Sequence, residues 1–398
     1  MTTKKRNRRT HGIGSLRERG KGSWELGVHG VDASGRRVKR FYTVKGDRAA
    51  ALAKLSELVK AGKAGELPND KKLVSDVIDA WDKTLSVSAK TAERYRELVK
   101  HHIRPHLGDL RMRSVRASRI DQFYADLLAG RDANGVVTRE ALAPRTIGHV
   151  HRLVVQIFGL AVRDRDIDAN PATAAIRPDI ENKEIEILTE QEARDVLSKL
   201  RCRNTHGSST YYRIVFLALA SGMRRGEILG ARWKDLNFET AELRVQQSVE
   251  QTKAGLRFKS PKSKAGRRTI TLPAAAIAEL RLQKSTQAAE RLSLGLGKDA
   301  DDALIFRQVD GSPLVPNNVT TEWRRLVESL HLPKVSFHAF RHTHASQLIA
   351  SGMDVLTISR RLGHSNASIT LNIYGHLFAP TDKTAAAVMD RAFGSVFS

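Results

Sequence analysis

Ser336-Phe337-His338-Ala339-Phe340-Arg341-His342-Thr343-His344 places three histidines and an arginine within nine residues. His338 and Arg341 stand three apart, so a helix here carries them on one face. A proton-moving imidazole beside a fixed guanidinium suits an anionic, phosphorane-like transition state. The His-x-x-Arg pattern alone recurs by chance, and the segments downstream give it weight. Asp354 to Leu362 spaces Val355, Ile358 and Leu362 for one helical face, and Gly363 supplies the stop. His364 follows at the helix end. Ten residues later Tyr374 stands on a short element just before Gly375-His376.

Working upstream, Ser221-Gly222-Met223-Arg224-Arg225-Gly226-Glu227-Ile228-Leu229 closes the apolar run Ile214 to Ala220 with a charged turn. Arg224 therefore sits at a core boundary, where a planar guanidinium is suited to gripping a phosphate or carboxylate bidentately. The plainer reading is an ion pair with Glu227, one helical turn on. Between the two segments, Leu243 to Val249 and Arg268 to Leu272 read as strands joined through Pro261 to Arg267. Asp299, Asp301 and Asp302, after Gly295 and Gly297, read as a solvated loop. Thr189 with Glu192 makes a capping box ahead of Val196, Leu197 and Leu200, and residues 336–398 return to helix.

The whole chain has 398 residues, with 67 Lys+Arg against 43 Asp+Glu and a net charge of +24. Such an excess favours a polyanionic partner, because cations placed on phosphates release condensed counterions. No run of 18 apolar residues predicts a membrane span, and the basic Met1 to Thr10 lacks a signal-peptide core. A soluble protein of the cytoplasm, associated with the nucleoid, is the expectation. The single Cys202 excludes an internal disulfide framework and a cysteine-rich zinc module. His101, His102 and His106 have the wrong spacing for a metal, and Pro105 is expected to interrupt any helix between them.

Three blocks follow, making the class multidomain α+β. Residues 1–66 read as a small β-sheet-plus-helix module, with strands at Ser23–Val28 and Val38–Val44 and a helix from about Asp47 to Lys60. Up to residue 70 this stretch holds 17 Lys+Arg and only 7 Asp+Glu, and Arg36, Arg37, Lys39 and Arg40 cluster on a hairpin that a DNA groove could admit. Residues 72–178 read as all-α, with Arg94, Lys100, Arg145 and Arg152 dense enough on helix faces to suggest a phosphate-facing surface. Residues 185–398 read as a mixed α+β domain ending in an apolar helix, Lys383 to Phe393.

These motifs together resemble the tyrosine recombinase (phage integrase) family. The carrying residues are Ser221 to Glu227 around Arg224, His338-x-x-Arg341, Leu362-Gly363-His364 and Tyr374-Gly375-His376, in the family's order. Ser263-Lys264-Ala265-Gly266-Arg267-Arg268-Thr269-Ile270 is similar to its β-hairpin lysine loop, and Ser221 stands where threonine is commoner. The resemblance implies six catalytic positions: Arg224, Lys264, His338, Arg341, His364 and Tyr374. Lys253, Lys259 and Lys262 lie near Lys264, which is chosen for its distance to the following strand. The three blocks then become arm-binding, core-binding and catalytic domains.

The implied reaction is attack by Tyr374 on a scissile phosphorus, giving a 3′-phosphotyrosine and a free 5′-hydroxyl. In it Arg224 and Arg341 hold charge, Lys264 is the general acid, His338 assists the tyrosine and His364 bonds a non-bridging oxygen. The resemblance implies no ATP, no metal and no other cofactor, and no G-x-x-x-x-G-K-[ST] loop is present. Implied partners are double-stranded DNA attachment sites, a homotetramer in the synaptic complex with the tail helix docked on a neighbour, a directionality factor and a host DNA-bending protein. The element would be a phage or other mobile DNA. A chromosome-dimer resolvase, a type IB topoisomerase and a non-catalytic DNA-binding regulator are the competing readings. The basic N-terminal module, the absence of a long linker before Tyr374 and the intact six positions argue against them in turn.

Overall fold

The computed structural model describes residues 14–31, 37–64, 71–137, 140–180, 185–202, 208–261, 264–378 and 382–393, with the backbone alone for 208–209, 264 and 382–385. The chain forms two compact units, Met1–Asn182 and Lys183–Ser398. No helix among the described residues is long and apolar enough to cross a membrane.

In the first unit, β1 (Ser15–Gly20), β2 (Ser23–Val31) and β3 (Arg37–Lys45) form an antiparallel meander, followed by α1 (Arg48–Lys63). Leu26, Val28 and Tyr42 alternate toward Ala51, Leu55 and Leu58 of the helix, each large side chain contributing about 1.5–3 kcal/mol by leaving water. The Asp47 carboxylate accepts from the Ala50 amide at 2.8 Å and starts α1. The first strand was not expected from the sequence.

Strand alternation corrects the expected basic cluster. Arg37 and Lys39 are exposed on the face of Phe41, where the Lys39 ammonium lies 5.1 Å from the ring centre. Arg40 lies on the opposite face with Val38 and Tyr42, because successive residues of a strand point to opposite sides. Arg36 falls outside the described residues.

The rest of this unit is helical: α2 (Val74–Lys83), α3 (Ala89–Leu98), α4 (Arg104–Leu107), α5 (Ala117–Leu128) and α6 (Pro144–Arg163). Val77, Ile78 and Trp81 of α2, Phe123 and Tyr124 of α5, and Val150, Val154 and Ile157 of α6 share one core. Pro105 does not interrupt the helix as expected. A π-helical turn, Val99–Ile103, joins α3 to α4 and puts Pro105 in the first turn of α4, where a missing N–H costs little.

The second unit contains α7 (Glu190–Cys202), α8 (Ser208–Ser221), α9 (Arg225–Leu229), β4 (Leu236–Asn237), β5 (Glu242–Val245), β6 (Ser248–Thr252), β7 (Gly255–Lys259) and β8 (Arg268–Thr271). After them come α10 (Ala274–Ser293), α11 (Pro316–Ser329), α12 (Ala339–Ala350), α13 (Val355–Leu362), α14 (Ala367–Tyr374) and α15 (Asp382–Phe393). The expected capping box holds: Glu192 accepts from the Thr189 amide and hydroxyl at 2.8 Å. The single strand expected over Leu243 to Val249 is two. β5 pairs with β4 and β8, whereas β6 turns away to make a hairpin with β7. Asp299 is no solvated loop acid, for it pairs with the deeply buried Arg307 at 2.8 Å.

Candidate active site

Two chain reversals and one helix bring the candidate residues together. The first is the turn between α8 and α9. Gly222 adopts φ +65°, and a side chain there would meet the His344 ring at 2.6 Å. Arg224 caps α9, with its own amide donating to Glu227 Oε2 at 3.0 Å and Nη1 to Oε1 at 2.8 Å. The ion pair expected as the plainer reading is therefore real, and the guanidinium stays half exposed beyond it. Glu227 is buried and also takes Arg268 at 2.9 Å. Burial works against ionisation, but Arg268 and Arg224 outweigh it and hold the carboxyl below the usual range.

The second reversal ends α13. Gly363 adopts the left-handed conformation, and a side chain there would press on Arg268 Nη1 at 2.8 Å and the Ala265 carbonyl at 3.0 Å. Arg268 donates from Nε to the Arg361 carbonyl at 2.7 Å. Arg341, in the first turn of α12, is 3% exposed; its Nη1 donates to the Gly222 carbonyl and its Nη2 to the Leu362 carbonyl, both at 2.7 Å. It thus ties the first reversal to the second. Burial, then Arg224, brings its pKa down to about 9.

The third element is α14, whose last residue is Tyr374, 1% exposed and packed with Ala345, Ile349, Ile358 and Leu362. Burial raises its hydroxyl to about 12 against the opposing pull of Arg341. The hydroxyl lies 2.7 Å from His342 Nδ1. His338, expected to assist the tyrosine, caps α12 with its ring 4.8 Å from that of His342, edge to face. His364 Nδ1 lies 2.8 Å from the Thr370 hydroxyl. Crowding by protein, and then the surrounding histidine and arginine charges, lowers His338 and His364 to about 4. Arg224, His338, His364 and Tyr374 are therefore each linked electrostatically to Arg341.

Lys264 opens a 3-10 turn, Lys264–Gly266, just before β8, but its side chain and all of Lys262 fall outside what is described. Lys259 is engaged by Glu250, which also holds Arg257 at 2.7 Å. In the first unit, Arg94, Arg145 and Arg152 act together on the exposed His149 and lower its pKa, after the effect of burial. All three are thus near enough to His149 for their charges to act on it. Lys100 is exposed on the π-helical turn and is not among those charges.

The phage integrase family profile spans residues 186–380, and that of the phage integrase N-terminal SAM-like domain spans 75–128. This chain belongs to the phage integrase family. A tyrosine recombinase XerC-like protein of Caldanaerobacter subterraneus subsp. tengcongensis is 28% identical over 309 residues, covering 73% of this chain and 74% of that relative. An integrase of Streptomyces ambofaciens is 24% identical over 380 residues, 92% of each chain. The Tn1549 transposon integrase, solved in complex with a circular intermediate DNA, has the same fold with a TM-score of 0.65 at 21% identity, over 80% of this chain and 99% of that one. A lambda integrase tetramer bound to a Holliday junction gives 0.51 at 17%, over 91% and 95%.

Within this integrase fold, four residues around the site were not singled out from the sequence: Arg268, His342, His344 and Arg361. Arg268 shows the one readable signal, an arginine two residues before Ile270 on a strand whose alternation sends both inward. His344 Nδ1 donates to the Leu219 carbonyl at 2.7 Å, so its Nε2 is the acceptor for Arg361 Nε at 3.0 Å. Burial lowers it to about 4, with Arg361 adding to the effect.

The unfolded chain binds a proton at this histidine below about 6.5, where the fold refuses it, so stability is whole above pH 6.5 and falls as pH drops toward 4. At pH 5 His344 alone accounts for a loss of ~2 kcal/mol. Melting curves at pH 7 and pH 5 will show the drop, and His344→Asn, which keeps a donor for Leu219, will shrink it. An undiminished drop in the variant would remove His344 as the cause.

Proposed function

We propose that Tyr374 is the nucleophile of this recombinase, cutting one DNA strand as a 3′-phosphotyrosine and rejoining it to a new 5′-hydroxyl. The observation that carries the assignment is a buried tyrosine hydroxyl, hydrogen-bonded to a histidine and near enough to Arg341 to feel its charge, with Arg224 acting in turn on Arg341. In this reading Arg224 and Arg341 hold the non-bridging oxygens, where fixed cations stabilise charge that grows in the transition state. The backbone grip on Arg341 sets its orientation before DNA arrives, so little reorganisation is left for the reaction. His338 and His364 supply hydrogen bonds to the same phosphate, and Lys264 protonates the departing 5′-oxygen. Because the phosphotyrosine conserves the energy of the broken diester, rejoining needs no nucleotide.

The substrate is double-stranded DNA carrying the attachment sites of a phage or mobile element. Arg94, Arg145 and Arg152 form one phosphate-gripping surface, and Arg37 and Lys39 on the outer sheet face form a second, arm-type one. Two separate DNA surfaces on one chain suit a bent site, hence a host bending protein, and a directionality factor that selects excision. Val388, Met389 and Phe393 of α15 are exposed, which supports docking of this helix on a neighbouring protomer in a homotetramer.

The test is to incubate the protein with a supercoiled plasmid carrying the DNA that flanks this gene, then to trap with detergent. A covalent protein–DNA adduct is the expected result, and its absence despite tight binding would overturn the assignment. For the DNA surface, Arg145→Ala with Arg152→Ala should lower the slope of log K against log salt by ~0.9 for each phosphate that the variant no longer neutralises. An unchanged slope in a binding titration would remove this surface from the interface.

A further inference from the structure

We propose that His342 takes the phenolic proton of Tyr374 as that oxygen attacks phosphorus, an inference that rests on the strand-transfer reading above. The geometry is already in place before DNA binds: Nδ1 lies 2.7 Å from the hydroxyl, with the rings 5.6 Å apart at 63°. Both partners are held by packing, since Tyr374 shares a core with Ala345 and Ile349 of the helix that carries His342. His338 is a poorer candidate, because its ring meets that of His342, whereas His342 itself reaches the Tyr374 hydroxyl.

The chemistry calls for such a group. With its hydroxyl raised to about 12, Tyr374 is ionised to only about one part in 10⁵ at pH 7. Waiting for phenolate would forfeit most of the rate. His342 is depressed below the usual histidine range, by burial and then by Arg341, with Glu186 opposing. Its ring is therefore neutral at pH 7, and with its proton on Nε2 it offers Nδ1 as the acceptor. The step balances: the Oη–H bond breaks and its proton passes to Nδ1, the Oη–P bond forms, and P–O5′ breaks. The 5′-oxygen takes a proton from a separate donor, Lys264 in this reading. Rejoining runs the same transfers backward and returns the proton to Tyr374.

The groups that face His342 are His338 and Arg341 from α12, Tyr374 from α14 and Glu186 from the segment before α7. Only removal of the acceptor itself changes the pH profile as follows. The probe is a synthetic duplex of the cleavage site mapped by the wild-type adduct, and the readout is the rate of adduct formation from pH 5 to 9. His342→Gln can accept the phenol hydrogen bond but not its proton. It should be slower by about 10²-fold or more at pH 7, with a rate that rises about tenfold per pH unit as phenolate forms. His342→Phe should behave alike while binding the duplex normally; if it does not fold, the Gln variant carries the test. A duplex with sulfur in the 5′-bridging position, whose leaving group needs no proton, should rescue Lys264→Ala and not His342→Gln.

Near-wild-type rates in His342→Gln, a loss equal at every pH, or rescue by sulfur would overturn the role of His342 and leave Tyr374 as nucleophile. No adduct with the wild-type protein would overturn the strand-transfer reading and this inference with it.

Discussion

Tyr374→Phe should form no covalent adduct with the plasmid DNA, a loss of about 10⁴-fold or more, because it removes the oxygen proposed above to attack. The fold should survive. Phenylalanine fills the same buried volume, and the missing hydroxyl removes one hydrogen bond, worth about 1 kcal/mol, and leaves His342 Nδ1 unpaired. Arg224 and Arg341 are untouched, so DNA binding and its salt dependence should match wild type. Gel retardation alongside detergent trapping measures both quantities on one sample. An adduct in the variant would mean that another nucleophile acts and that the buried tyrosine is structural.

Glu227→Ala should be the most damaging change outside the reacting groups. Glu227 is buried and shared between Arg224 and Arg268, whose side chain is almost wholly enclosed. Removing the carboxylate strands a buried cation, which costs about 3–5 kcal/mol. It also frees Arg224, whose guanidinium is otherwise fixed at 2.8 Å by Glu227 and at 3.4 Å by the Gly363 carbonyl. Thermal melting should therefore show a large loss of stability, and adduct formation at low temperature should stay depressed even where the protein remains folded. Glu227→Asp, which keeps the charge on a shorter stem, should recover stability in part. A variant Glu227→Ala as stable as wild type would show that Arg268 is neutralised from elsewhere.

The sequence by itself carried much of what near neighbours decide. The apolar faces of α2, α5 and α6 follow from helical spacing, the Thr189–Glu192 box from side chains three apart, and the stop at Gly363 from a position only glycine adopts without strain. Family membership was equally legible, from motifs in a fixed order along the chain. Where the sequence misled, a local rule met a wider constraint. Pro105 was absorbed by a π-helical turn, and the cluster of Arg37, Lys39 and Arg40 was divided by the pleat.

Only the tertiary structure decided which group serves which. His342 and Tyr374 are 32 positions apart, Glu227 and Arg268 are 41, and Arg341 is 119 from the Gly222 carbonyl it holds. No periodicity links such pairs, because their meeting depends on how α8, α12, α13 and α14 pack, not on any repeat along the chain. The sequence named a histidine near an arginine and a tyrosine further on. The packing of α14 against α12 is what set the hydroxyl on His342 rather than on His338.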